Sequence, residues 1–86
     1  MKITVELPDY DGDAVDVIWE EGARISIHTD ESSVTVRANA GGLLSLGRQM
    51  LYLARNDLPD GAHIHYDDFF TGQQLPYELI IEKADL

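Results

Sequence analysis

The sequence predicts an α+β fold: a two-layer arrangement in which one amphipathic helix packs on one face of a largely antiparallel sheet, in the order ββββαββ. Three observations predict it. Apolar and polar residues alternate through several short runs, as they do in half-buried antiparallel strands. One stretch, residues 41–57, changes to helical spacing. Between these runs stand short links of Gly, Asp, Ser and Glu, the residues of tight turns.

Each element follows from its spacing. In residues 2–7, Ile3, Val5 and Leu7 oppose Lys2, Thr4 and Glu6. Residues 15–20 set Val15, Val17 and Trp19 against Asp16, Ile18 and Glu20. Residues 24–29 and 33–38 continue the pattern with Ile25 and Ile27, then Val34, Val36 and Ala38, on the inward rows. Glu21-Gly22 and Thr29-Asp30-Glu31-Ser32 are the hairpin links. Over residues 41–57, Leu43, Leu44, Leu46, Gly47, Met50, Leu51, Leu53 and Ala54 fill about half of a wheel drawn at roughly 100° per residue. Ser45, Arg48, Gln49, Tyr52, Arg55 and Asn56 fill the rest, so the leucine side is expected to face the sheet. Asn39 is placed to cap the helix, and Pro59 with Gly61 to end it. Strands are expected at residues 62–67 and 77–83, with FFTGQQLP as the loop between them.

Length and charge bound the rest. With 86 residues, the chain makes one small domain, residues 1–86. Six Lys and Arg face sixteen Asp and Glu, a net charge of −10. Such a surface repels phosphate backbones and anionic lipid, so neither nucleic acid nor a membrane is an expected partner. A basic protein would be attracted. The absence of cysteine excludes disulfides, thiolate metal sites and thiol nucleophiles. MKITVELPDY lacks the apolar run of a signal peptide, and no stretch approaches the ~20 apolar residues of a membrane span, so a cytoplasmic protein is expected.

Two stretches carry possible chemistry. DYDGDAVDVIWE, residues 9–20, has acidic residues at Asp9, Asp11, Asp13 and Glu20, the first, third, fifth and twelfth positions of an EF-hand-like calcium loop. Ala14 stands where that loop needs glycine, Asp16 where it needs an apolar residue, and strands rather than helices are expected on both sides. The stretch therefore reads as a solvated acidic turn. HIHYDD, residues 63–68, places His63, His65 and Asp67 on one side of a strand, successive members roughly 6.5–7 Å apart. That set is a candidate for a divalent metal. Its spacing is similar to the H-x-H-x-D-H signature of metallo-β-lactamase-like hydrolases, but Asp68 replaces the last histidine and the chain is too short for that fold. His28 is a fourth ligand only if its strand is adjacent. No serine carries an elbow motif, and Gly41-Gly42 lacks the rest of a phosphate-binding loop.

Residues 38–83 resemble immunity protein family 32 of bacterial polymorphic-toxin systems. The positions that carry the resemblance are Gly42, Leu43, Leu46, Met50, Leu53 and Ala54 in the helix, then His63 and His65, then Glu78, Leu79, Ile81 and Glu82 in the last strand. The resemblance implies a cytoplasmic, non-catalytic protein that binds a cognate toxin domain and needs no cofactor. On this reading an acidic surface meets a basic toxin, and the contact residues are Asp11, Asp13, Asp16, Glu20, His63, His65 and Asp67. Two other readings stay open: a metal-binding protein or metal-dependent enzyme centred on His63, His65 and Asp67, and a homodimeric structural module. Monomer and homodimer are both compatible with the sequence.

Overall fold

A computed structural model describes residues 1–67 and 77–86. The elements are β1 (Ile25–Thr29), β2 (Val34–Ala38), α1 (Ala40–Leu53), β3 (His63–Tyr66) and β4 (Leu79–Glu82). The class is α+β, as expected, and these four strands lie within two residues of four of the expected ones. The order ββββαββ is corrected: residues 2–7 and 15–20 belong to no strand. The sheet is corrected too. β1 pairs with β2 and β3 with β4, both antiparallel, giving two separate two-stranded sheets among the described residues. The expected FFTGQQLP loop lies outside the described residues.

Each hairpin follows from local chemistry. Between β1 and β2, Asp30 Oδ1 accepts hydrogen bonds from the Ser32 and Ser33 amides at 2.8 Å, and the Asp30 amide donates to the Ser33 carbonyl. These donors stabilise the carboxylate and hold the Asp30 pKa below its ordinary value. In the second hairpin the pairing runs past the strand ends. Lys83 N–H donates to Ala62 O, and Gly61 N–H donates to Lys83 O.

One core serves both sheets. Ile25 and Ile27 of β1, Tyr52 and Leu53 of α1, Leu58, Ala62, and Ile64 and Tyr66 of β3 are all buried. Leu7, Tyr10, Val15, Val17 and Trp19 pack against this cluster, so the alternation in residues 15–20 correctly marked the inward side. Trp19 meets Tyr66 edge to face, ring centroids 6.2 Å apart. Ile3, Val34 and Val36, expected inward, are exposed. For the valines the reason is position. The helix crosses the end of the first hairpin where Ile25 pairs with Ala38, and Val34 lies at the other end.

The helix is turned only in part as expected: Leu53 is in the core and Leu46 packs against it, but the rest of the expected inward side is not. Its buried residues are Gly42, Ser45, Gln49, Tyr52 and Leu53, while Leu43, Leu44, Met50 and Leu51 face outward. The cause lies in residues 16–20, which run along α1 in the opposite direction and bond to its side chains. Tyr52 Oη accepts the Asp16 amide at 3.4 Å, Gln49 Nε2 donates to the Ile18 carbonyl at 3.1 Å, and Ser45 Oγ accepts the Glu20 amide at 2.9 Å. Ser45 Oγ in turn donates to the Gly41 carbonyl. Ser45, Gln49 and Tyr52 therefore do for this extended strap what a neighbouring strand would do. Leaving such backbone groups buried and unpaired costs about 1–3 kcal/mol each.

Both helix ends are fastened. Asn39 caps the start as expected: its Oδ1 accepts from the Gly42 and Arg24 amides, and its Nδ2 donates to the Gly22 carbonyl. The helix stops at Leu53 rather than running to residue 57. Leu58 lies eighteen residues beyond Ala40, five turns at 3.6 residues each, so a longer helix would point it outward. The tightened turn after Leu53 instead buries Leu58, and Lys83 Nζ donates to the Arg55 and Leu58 carbonyls left at that end.

Candidate functional site

The expected contact residues fall into two groups. The acidic group lies on the segment that leads into and forms the strap. Asp11 is exposed, and its Oδ1 accepts the Asp13 amide at 2.9 Å and the Ala14 amide at 3.3 Å. These amides lower the Asp11 pKa from its ordinary value. Gly12 completes the turn at φ +88°, a conformation that side chains rarely adopt. The opening aspartates thus make a self-capped turn, in agreement with the reading of the sequence. Asp13 and Asp16 are exposed, while Glu20 is half-buried and pairs with Arg48 at 2.9 Å.

The histidine group lies on the outward row of β3. His63 and His65 are exposed with ring centroids 4.8 Å apart, and Asp67, half-buried, follows the strand. His63 Nδ1 lies 2.8 Å from the Gly61 carbonyl, which can only accept, so Nδ1 carries the proton. His65 Nδ1 meets Glu78 Oε2 at 2.9 Å. The register sets His63 opposite Glu82 and His65 opposite Ile80, so imidazoles, carboxylates and one exposed isoleucine share this row.

The candidate metal set is corrected by this arrangement. Among the described residues no three His, Cys, Asp or Glu side chains gather so that they could hold a metal ion. His63, His65 and Asp67 share a side of the chain, but each imidazole turns one nitrogen to its own neighbour and Asp67 does not complete a cluster. His28 cannot supply a ligand from an adjacent strand, because β1 pairs with β2 and not with β3. His28 Nε2 instead lies 3.2 Å from Ser26 Oγ. The structure brings His63 and His65 together.

A second surface was missed by the sequence reading. The outward side of α1 carries Leu43, Leu44, Met50 and Leu51, with relative exposures of 59%, 56%, 36% and 51%. Fully burying one such side chain is worth about 1.5–3 kcal/mol, so four together are an unusual feature of a free surface. A signal for this orientation was present. The centre of the polar arc holds uncharged Ser45, Gln49 and Tyr52, whereas Arg48 and Arg55 sit at its flank. Uncharged polar groups at hydrogen-bonding spacing suit an interior with backbone to satisfy. Arg48 is paired with Glu20, and Arg55 with Asp57 and the Pro8 carbonyl.

No described helix is long and apolar enough to cross a membrane. Fold and surface together define a small acidic α+β protein whose exposed features are carboxylates, a histidine pair and an apolar helix face. The model of a protein family described as immunity protein 32 matches residues 33–84, more than half of the chain, and the chain belongs to that family. The matched span holds β2, α1, β3 and β4, while the acidic turn and strap lie before it. No curated protein and no solved structure matches the chain.

Proposed function

We propose that this chain is an immunity protein that binds a cognate toxin domain in the cytoplasm and blocks it, without catalysis of its own. The observation that carries the reading is the family match over residues 33–84. The net charge of −10 supports a basic partner, because a strongly acidic surface draws such a protein in and speeds encounter. Asp11, Asp13, Asp16 and Glu20, with His63, His65 and Asp67, are the polar groups assigned to this contact. All but Glu20 and Asp67 are exposed, which suits long-range attraction.

The test is protection. Cells making the toxin domain encoded beside this chain's gene should survive only when the chain is made with it. With purified proteins, the association rate should fall at least about tenfold as salt rises from ~50 to ~500 mM. A salt-independent rate would remove the acidic surface from the account. Absence of both protection and binding would remove the function.

A further inference from the structure

We propose that the outward face of α1 is the anchor that seats the toxin, and that it takes an apolar patch on the surface of a basic partner. This rests on the immunity reading above and adds to its polar contact groups an apolar contact on the outward side of α1.

The face is uniform. Leu43, Leu44, Met50 and Leu51 surround Gly47, and Ala40 and Ala54 extend the same line by seven residues in each direction. Every one of these residues is exposed, and none is charged or polar. Nothing lies within 4 Å of where a Gly47 side chain would begin, so a partner can approach the helix backbone there. The inward side is already occupied by the strap through Ser45, Gln49 and Tyr52, so burying the leucines by turning the helix would break those three hydrogen bonds. The apolar face is thus locked outward.

Charge selects the occupant. A second copy of this chain would bring −10 against −10, or −20 in the dimer, which opposes association. A basic partner meets the opposite situation. The helix cations nearest the face, Arg48 and Arg55, are neutralised by Glu20 and Asp57 at 2.9 and 2.8 Å. A charge-poor apolar centre with a polar margin is the anatomy of a protein interface, in which the centre sets dissociation and the charged margin sets association.

The test uses the toxin domain encoded beside the gene, made catalytically inactive, with Leu44→Glu and Leu51→Glu. Glutamate is a good helix former and adds attraction to a basic partner, so lost binding would report the apolar contact alone. Each variant should dissociate at least about 30-fold faster, with association changed less than about threefold. Val34→Glu, at an exposed position on β2 away from the helix face, should bind as the parent does. Circular dichroism and thermal midpoint should match the parent in all three. A readout independent of folding is oxidation of Met50 in the parent chain, which the toxin should slow strongly. Unchanged affinity in both leucine variants, with unprotected Met50, would overturn the anchor while leaving toxin binding intact. A parent chain that dimerises through this face, becoming monomeric in Leu51→Glu with toxin affinity kept, would overturn it as well. A parent chain that does not bind the toxin would overturn both readings.

Discussion

Gly42 and Gly47 lie in the same helix, yet adding one methyl group to each should change stability in opposite directions. Alanine is a better helix former than glycine by about 1 kcal/mol, and that gain is common to both sites. At Gly47 nothing opposes it, since no atom lies within 4 Å of the new Cβ. At Gly42 the Cβ would stand 2.4 Å from the Arg24 carbonyl oxygen and 3.1 Å from both Ala38 Cβ and Ile25 Cγ2. The first obstacle is backbone, so no rotamer change relieves it, and the helix start must retreat by roughly 1 Å to restore ordinary contact. Such overpacking costs about 1–3 kcal/mol. The retreat also loosens the Asn39 cap on the Gly42 amide and the Ser45 bond to Glu20, each worth about 1 kcal/mol. After the propensity gain is subtracted, Gly42→Ala should lose about 2–4 kcal/mol and Gly47→Ala should gain up to about 1. With a urea slope near 1 kcal/mol/M for a chain of this size, the midpoints should separate by about 3 M. Trp19 fluorescence reports the transition. A Gly42→Ala protein as stable as the parent would refute the close approach of α1 to Arg24, and with it the placement of the helix.

Three further outcomes follow from the same contacts. Gln49→Leu removes the acceptor of the Tyr66 hydroxyl at 2.7 Å and the donor to the Ile18 carbonyl, and should cost about 2–4 kcal/mol in urea unfolding; a cost below about 1 would contradict the strap. Asn39→Ala frees the Gly42 and Arg24 amides and the Gly22 carbonyl, so it should cost about 2 kcal/mol, more than a simple cap, with the thermal midpoint as readout. Burial raises the Tyr66 pKa from 10.0 to about 12, so between those values the folded chain holds a proton that the unfolded chain has released. Stability is therefore unaffected by this group below pH 10 and falls as pH rises towards 12, and Tyr66→Phe should remove that part of the slope.

Local patterns made much of the fold legible before any coordinates. Period-two alternation located β1 to β4; in β1 and β3 it follows from one side on the core and one in water, whereas in β2 only Ala38 meets the core. The Asn39 cap, the turn at Asp30 and the self-capped turn at Asp11 were readable because each is closed by a residue within three positions. Of the candidate site, the exposure of Asp11, Asp13, Asp16, His63 and His65 follows from the same alternation and turn chemistry. The failure of His63, His65 and Asp67 to gather as a metal cluster does not, because it depends on where each imidazole finds its neighbour.

By itself, then, the sequence determined which segments are extended, which is helical, where the turns fall, the acidity of the surface and the family. Tertiary structure alone decided that the described strands form two sheets and that residues 16–20 become a strap. It also decided that Leu43, Leu44 and Leu51 of α1 face outward while Leu46 and Leu53 do not. Helical spacing defines two opposite faces but does not say which is inside. The inward side is the one on which Ser45, Gln49 and Tyr52 bond the strap's backbone and Tyr52 and Leu53 join the core, and Leu43, Leu44, Met50 and Leu51 are left outside.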